Sequence, residues 1–346
     1  MNLLNKLAEH AVTNPNQVAL TGFDVSLDYR ALQKEIIECA KYLKEHGFQV
    51  IGLDADNTPG WIVADLAALK VGVCIVPLAP FFSSEQIQNS IQQSGIEAII
   101  TDNPDRLNAT SAELFSSSRE TVLLAGKSFT LCTTSVNAKK LPQDVVKISY
   151  TSGTTGEAKG VMIRWEQIQS VIDSLSVTVQ ASSQDRHLSL LPLAILLENL
   201  AGVYVSLWAG ANTILPGLRA LGLVGAVGMD ISTTFKAIEA YRPSTLIMMP
   251  QMLQSMTEAL QSNQFTIDSL RFIALGGAPI STMLLDKAES LNLPVYEGYG
   301  LTECASVVTL NTPTEHRKGS VGKPLPHIDL SISETGEVLV KKHVFS

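Results

Sequence analysis

Cysteine is sparse in this sequence and never paired: Cys39, Cys74, Cys132 and Cys304 are scattered, with no Cys-x-x-Cys. That spacing gives neither a disulfide framework nor a zinc site, and it points to reduced, buried thiols in a cytoplasmic protein. Histidine offers no metal either, because His10, His46, His187, His316, His327 and His343 show no ligand spacing. Charge is low, with 17% charged residues, a net charge of −8 and no densely basic stretch, which argues against a nucleic-acid partner. A Gly-x-Ser-x-Gly elbow is missing, which argues against the α/β-hydrolase reading. Residues 1–10 form an amphipathic helix pattern and lack the apolar centre of a signal peptide.

What is present is mostly apolar. Hydrophobic residues make up 45% of a 346-residue chain, which implies a large buried fraction spread over two or three substructures. Residues 199–218 carry no charge and reach the length of a membrane span. They also contain Asn212, Pro216 and three glycines, between Glu198 and Arg219. A buried helix over 196–208, running through Gly210 into a strand at 212–215, accounts for them, so no transmembrane segment is expected.

Strand and helix patterns alternate from about residue 17 to 300, which predicts an α/β layered fold. Strands are expected at 18–22, 50–54, 73–76, 98–101 and 145–150, with helices over 32–45, 60–71 and from Ser83, a serine N-cap. Residues 103–141 read as polar and irregular, including the serine run at 116–118. A second α/β unit follows, with strands at 188–191, 213–215, 245–249, 272–275 and 294–296 and helices over 231–240 and 282–291. After residue 306 the pattern changes to short strands with turn residues.

The densest chemistry lies in Tyr150-Thr-Ser-Gly-Thr-Thr-Gly-Glu-Ala-Lys-Gly-Val161. It follows the apolar strand pattern at 145–150 and collects four hydroxyls, three glycines and Lys159 between residues 151 and 160. Glycine lets backbone approach a ligand closely, and successive free N–H groups form an anion-binding nest. Thr151, Ser152, Thr154 and Thr155 add donors, Gly153 and Gly156 add freedom, and Lys159 adds a mobile positive charge. This is suited to holding a polyphosphate, yet Ala158 and Gly160 break the Gly-x4-Gly-Lys-Ser/Thr spacing of a Walker loop.

Tyr-Thr-Ser-Gly-Thr-Thr-Gly-x-x-Lys-Gly-Val resembles the signature loop of the adenylate-forming superfamily, which includes acyl- and aryl-CoA ligases, peptide-synthetase adenylation domains and luciferases. Tyr296-Glu-Gly-Tyr-Gly-Leu-Thr-Glu303 resembles its second nucleotide motif. Leu275-Gly-Gly-Ala-Pro279, Gly319-Ser-Val-Gly-Lys-Pro324 and Gly336-Glu-Val-Leu-Val340 fall in the family's order. Ala158 departs from it by replacing the usual proline, which loosens the loop and removes no phosphate donor.

The resemblance implies layered α/β subdomains at 1–167 and 168–305, and the start of a small distorted β-barrel at 306–346. It further implies that the mobile C-terminal lid domain is absent, with its catalytic lysine and the ribose-holding aspartate lying beyond Ser346. The implied reaction has two steps: a carboxylate attacks the α-phosphorus of ATP to form an acyl-adenylate, then a thiol displaces AMP. Residues 151–156 and Lys159 would serve the β- and γ-phosphates, and Thr302 the α-phosphate. Glu303, a hard oxygen donor, would hold Mg²⁺. Tyr299 would stack on adenine, beside Gly276, Gly277, Ala278, Glu297, Gly298 and Gly300.

For the acid, Leu191-Pro-Leu-Ala-Ile-Leu-Leu-Glu-Asn-Leu-Ala-Gly202 is similar to the segment found in long-chain fatty acyl ligases, with Ala194 and Ile195 where a histidine or aromatic gate commonly sits. Leu196, Leu197, Met248, Met249, Met252 and Val307 are candidate lining residues and offer no charged partner. A fatty acid with coenzyme A as acceptor is the expected pair. An acyl carrier protein as acceptor, and a binding module without turnover, stand as the rivals.

Overall fold

The computed structural model describes residues 1–110, 112–151, 159–224, 228–262 and 265–342. These residues fold as mixed α/β layers and form two compact units. The first comprises residues 1–166, 192–195 and 215–217; the second comprises 167–191, 196–214 and 218–346.

The first unit is built on a sheet whose strands run in the order Phe115–Leu124, Lys127–Thr134, Ala98–Thr101, Val50–Asp54, Cys74–Pro77, Val145–Thr151 and Lys159–Arg164. Its middle is parallel, Val50–Asp54 lying between Cys74–Pro77 and Ala98–Thr101. Every residue of those three strands is buried, as expected of parallel strands covered on both faces. The helix Pro59–Val71 is buried from Pro59 to Ala68, Asp65 included, so it is a core helix with no water-facing stripe over that span. The helix Ser84–Ser94 opens on Ser83 with a complete capping box to Gln86.

The segment expected to be irregular is instead ordered. It contains the helix Pro104–Thr110 and an antiparallel hairpin, Phe115–Leu124 with Lys127–Thr134. Ala125 and Gly126 make the turn at φ 50° and 76°, the pair of left-handed residues that a two-residue hairpin needs. Val122, Leu124, Phe129 and Leu131 are buried while Leu123 is exposed. That alternation is masked in the sequence by serine and threonine. Gly60 lets the helix approach the hairpin, since a Cβ there would stand 2.5 Å from the Phe129 ring.

Asp54 ends its strand buried, held by Arg106 and by the Thr101 hydroxyl at 3.3 Å. Burial pushes its carboxyl up to about 6, against the pull of Arg106 and Thr101. A carboxyl harder to ionise folded than unfolded adds stability that is complete below the unfolded value and lost as pH rises through the folded one. The unfolding free energy should therefore decline between about pH 4 and 6, by up to about 3 kcal/mol from this group. Asp54→Asn should flatten that slope; an unchanged slope in the variant would show that Asp54 is not its source.

In the second unit the sheet runs Lys323–Pro324, Ser306–Leu310, Val295–Leu301, Phe272–Leu275, Thr245–Met248, Arg186–Leu188 and Asn212–Ile214. From Asn212–Ile214 to Val295–Leu301 all pairings are parallel, and Ser306–Leu310 turns back antiparallel. A separate hairpin, Ile328–Ile332 with Val338–Lys342, follows. Residues 198–218 contain a π-helical stretch, Glu198–Tyr204, a single α-turn, Val205–Trp208, and the strand Asn212–Ile214. No helix among the described residues is long and apolar enough to cross a membrane.

Candidate nucleotide site

In the first unit, Val145–Thr151 and Lys159–Arg164 are antiparallel partners, and Thr151 faces Lys159 at the end of the ladder. Thr151 is therefore at the carboxyl end of a strand parallel to Cys74–Pro77, where open α/β sheets place their ligands. Thr151 is half-buried and Lys159 exposed. Ser152, Gly153, Thr154, Thr155 and Gly156 lie outside the described residues.

The strand is held from three sides. The Lys147 ammonium, on the same strand, donates to both oxygens of Asp65 at 2.8 and 3.0 Å and lies 5.6 Å from the Trp61 ring centroid. The Tyr150 hydroxyl meets the Ser94 hydroxyl at 2.6 Å, and burial pushes its pKa up against that bond. Gly160 closes over the same residue, since a Cβ there would stand 2.9 Å from Ile148 and 3.2 Å from the Tyr150 ring. A buried Lys–Asp pair is not visible in sequence, because Asp65 sits mid-helix with no spacing that announces a partner.

In the second unit, Leu275 and Glu297 are register partners at the carboxyl ends of adjacent parallel strands. Gly276, Gly277 and Ala278 leave the first strand directly beside Gly298, Tyr299 and Gly300, which continue the second. Gly277 takes φ 83°, available to glycine at little cost, and a Cβ on Gly276 would lie 3.5 Å from the Gly298 carbonyl. The sequence reading ended the second strand at residue 296, but pairing with Ser306–Leu310 carries it to Leu301. Glycine-rich sequence reads as a turn; here it lets two backbones touch. A Cβ on Gly300 would stand 1.9 Å from the Ser306 carbonyl oxygen.

Thr302 and Glu303 follow in a single 3₁₀ turn, Thr302–Cys304, with Thr302 half-buried and Glu303 exposed. The next two residues, Ala305 and Ser306, have φ 54° and 97°, and neither is glycine. Side-chain-bearing residues in that region are strained, and such strain persists only where surrounding structure fixes it. Register also slips between Tyr299 and Gly300, a bulge that re-aims the side chains around it. Among the described residues, no group of three or more His, Cys, Asp or Glu could hold a metal by itself. The lone Glu303 carboxylate therefore suits only an ion that brings most of its own ligands, as Mg²⁺ on a nucleotide does.

Of the acid-lining candidates, Leu196, Met248, Met252 and Val307 are buried and Leu197 and Met249 half-buried. The Met249 methyl would lie 3.6 Å from a Cβ on Gly277. One pair was not foreseen: Glu198, fully buried, receives His187 Nε2 at 2.7 Å, while His187 Nδ1 meets the Thr245 hydroxyl at 3.0 Å. Gly202 makes room for it, since a Cβ there would be 2.4 Å from His187 Nε2. The partners lie eleven positions apart, one on the strand Arg186–Leu188 and the other opening the helical stretch Glu198–Tyr204, so no single periodicity announces the contact.

The sequence matches the AMP-binding enzyme family over residues 7–344, and the chain belongs to that family. It is 27% identical over 97% of its length to 2-succinylbenzoate--CoA ligase of Bacillus pumilus, spanning 68% of that protein. It is 24% identical over 87% of its length to long-chain-fatty-acid--CoA ligase 1 of Cavia porcellus, spanning 52% of it. In fold it resembles the anthranilate CoA ligase AuaEII in complex with anthranoyl-AMP, with TM-score 0.81 over 99% of this chain and 69% of that one, at 16% identity. These relatives are CoA ligases, and the chain's enzyme class is acid-thiol ligase.

Proposed function

We propose that this protein activates an apolar carboxylic acid, a fatty acid foremost, with ATP and passes the acyl group to coenzyme A. The observation that carries the reading is the strained, closely packed segment from Gly298 to Ser306, which presents Tyr299, Thr302 and Glu303 from backbone fixed in advance. Preorganised donors and charges aimed at a transferring phosphoryl group are the main source of rate in such chemistry.

Each residue then has a task. Thr151, Ser152, Gly153, Thr154, Thr155 and Gly156 cradle the β- and γ-phosphates, and Lys159 supplies mobile positive charge. Tyr299 stacks on adenine, with Gly276, Gly277 and Ala278 leaving room for the ring. Thr302 donates to the α-phosphate. Glu303 would hold Mg²⁺, which when bound neutralises charge on the phosphate oxygens. We place the activity in the cytoplasm, consistent with the free, buried thiols of Cys39, Cys74 and Cys132.

An apolar acid is supported by the buried Leu191, Leu196, Met248 and Met252. Residues 191–202 do contain a carboxylate, but Glu198 faces His187 and is poorly placed to hold a substrate amine. Each buried methylene contributes about 0.8 kcal/mol, so kcat/KM should climb about three- to fourfold per added carbon until the acyl site is filled. ATP–pyrophosphate exchange from acetate to palmitate, with benzoate and several amino acids alongside, tests this. A flat profile or an amino-acid preference would remove the fatty-acid assignment. Transfer to an acyl carrier protein in place of coenzyme A would favour the carrier-loading reading, and AMP binding without exchange the non-catalytic one.

A further inference from the structure

We propose that Asn311, which lies outside the nucleotide motifs, is the positioning residue that holds the Glu297–Glu303 backbone ready for nucleotide. The inference rests on the ligase reading of that segment. Asn311 directly follows the strand Ser306–Leu310 and is almost wholly buried, at 1% exposure. Its backbone N–H donates to the Glu297 carbonyl at 2.9 Å, and its side-chain Nδ2 donates to the same carbonyl at 3.3 Å. Nδ2 also donates to the Ser320 carbonyl, while Oδ1 accepts the Arg317 N–H at 3.0 Å. One amide group therefore uses its donor and its acceptor to tie three backbone positions together.

The neighbouring contacts tighten the same joint. The Glu297 carboxylate accepts the Gly319 N–H at 3.0 Å, and the Thr309 hydroxyl donates to the Val321 carbonyl at 2.6 Å. Gly322, at φ 83°, presses on the strand so closely that a Cβ would stand 2.1 Å from the Leu310 carbonyl carbon. Residues 319–324 thus form a brace behind the nucleotide segment, and the Asn311 Nδ2 group bonds both to that brace, at the Ser320 carbonyl, and to the segment, at the Glu297 carbonyl. Asp at this site would keep the acceptor for Arg317 but would aim a carboxylate at the Glu297 and Ser320 carbonyls, which are themselves acceptors. With either Leu or Asp here, the Glu297 carbonyl keeps the backbone N–H of position 311, but the Ser320 carbonyl loses its donor, and local backbone movement is the route by which it regains one.

The test uses Asn311→Leu, close in volume and without hydrogen bonding, and Asn311→Asp. AMP affinity is measured by calorimetry well below the melting temperature, and amide hydrogen exchange is followed peptide by peptide in the free protein. We expect AMP to bind about ten- to a hundredfold more weakly in both variants. Exchange should rise selectively in peptides covering residues 297–303. A lowered melting temperature with unchanged AMP affinity and no selective rise would make Asn311 merely structural and overturn the inference while leaving the ligase reading intact. Failure of the unaltered protein to bind AMP would overturn both.

Discussion

Glu303→Gln is expected to lower ATP–pyrophosphate exchange by about a hundred- to a thousandfold while leaving the melting temperature almost unchanged. The carboxylate is exposed in the Thr302–Cys304 turn and has no hydrogen-bond or ion-pair partner among the described residues, so the folded chain does not depend on its charge. Exposed substitutions of that kind usually move stability by no more than about 0.5 kcal/mol. Glutamine keeps the size and one carbonyl oxygen but loses the charge that a hard divalent ion requires. Exchange rate and melting temperature should be measured on the same preparation. A large fall in melting temperature with near-normal exchange in the surviving protein would return Glu303 to a structural role.

Gly300→Ala should damage both properties at once. Its Cβ would lie 1.9 Å from the Ser306 oxygen and 2.7 Å from the Ser306 carbonyl carbon, both backbone atoms that cannot rotate aside. Accommodation means parting the strands Val295–Leu301 and Ser306–Leu310, at a cost of about 3 kcal/mol or more, the upper end of overpacking penalties. Thr302 and Glu303 ride on that junction, so AMP binding should be lost with it. Gly276→Ala is the contrast: its Cβ would meet the Gly298 carbonyl at an ordinary 3.5 Å. That variant should keep its melting temperature and lose only nucleotide affinity, through crowding of the adenine platform. Equal stability losses in the two variants would contradict the strand-contact account.

Much of this architecture is legible in the residues, and the exceptions share a cause. Cys74–Pro77 and Ala98–Thr101 stand out because continuous apolar runs mark strands buried on both faces. Ser83 stands out because capping is a local code. The hairpin from Phe115 to Thr134 was hidden because its polar residues blur a pattern of period two. The extension of Val295 to Leu301 was hidden because glycine has no side chain to report which state its backbone occupies. The pairs Lys147–Asp65 and His187–Glu198 were hidden because each joins residues that only the completed fold brings together. Motifs reveal the groups proposed to meet substrate; the supports behind them are non-local.

The place of Val145–Thr151 in its sheet also bears on how the first unit is made. Ile75 and Lys147 lie side by side, yet the helix Ser84–Ser94, the strand Ala98–Thr101 and the whole 115–134 hairpin intervene along the chain. Parallel pairing at such separation must bear the entropy of closing a long loop before any contact rewards it. Strands Val50–Asp54, Cys74–Pro77 and Ala98–Thr101 can assemble from a shorter span, and the strand leading to Thr151 has to join a sheet already formed. On a ribosome, that edge of the unit is completed only after the residues up to Arg164 have emerged to cover it. Within this sheet, the part proposed to grip phosphate is thus the part whose arrival is most delayed, and a chain interrupted during synthesis would hold the sheet's centre with an unfinished binding edge.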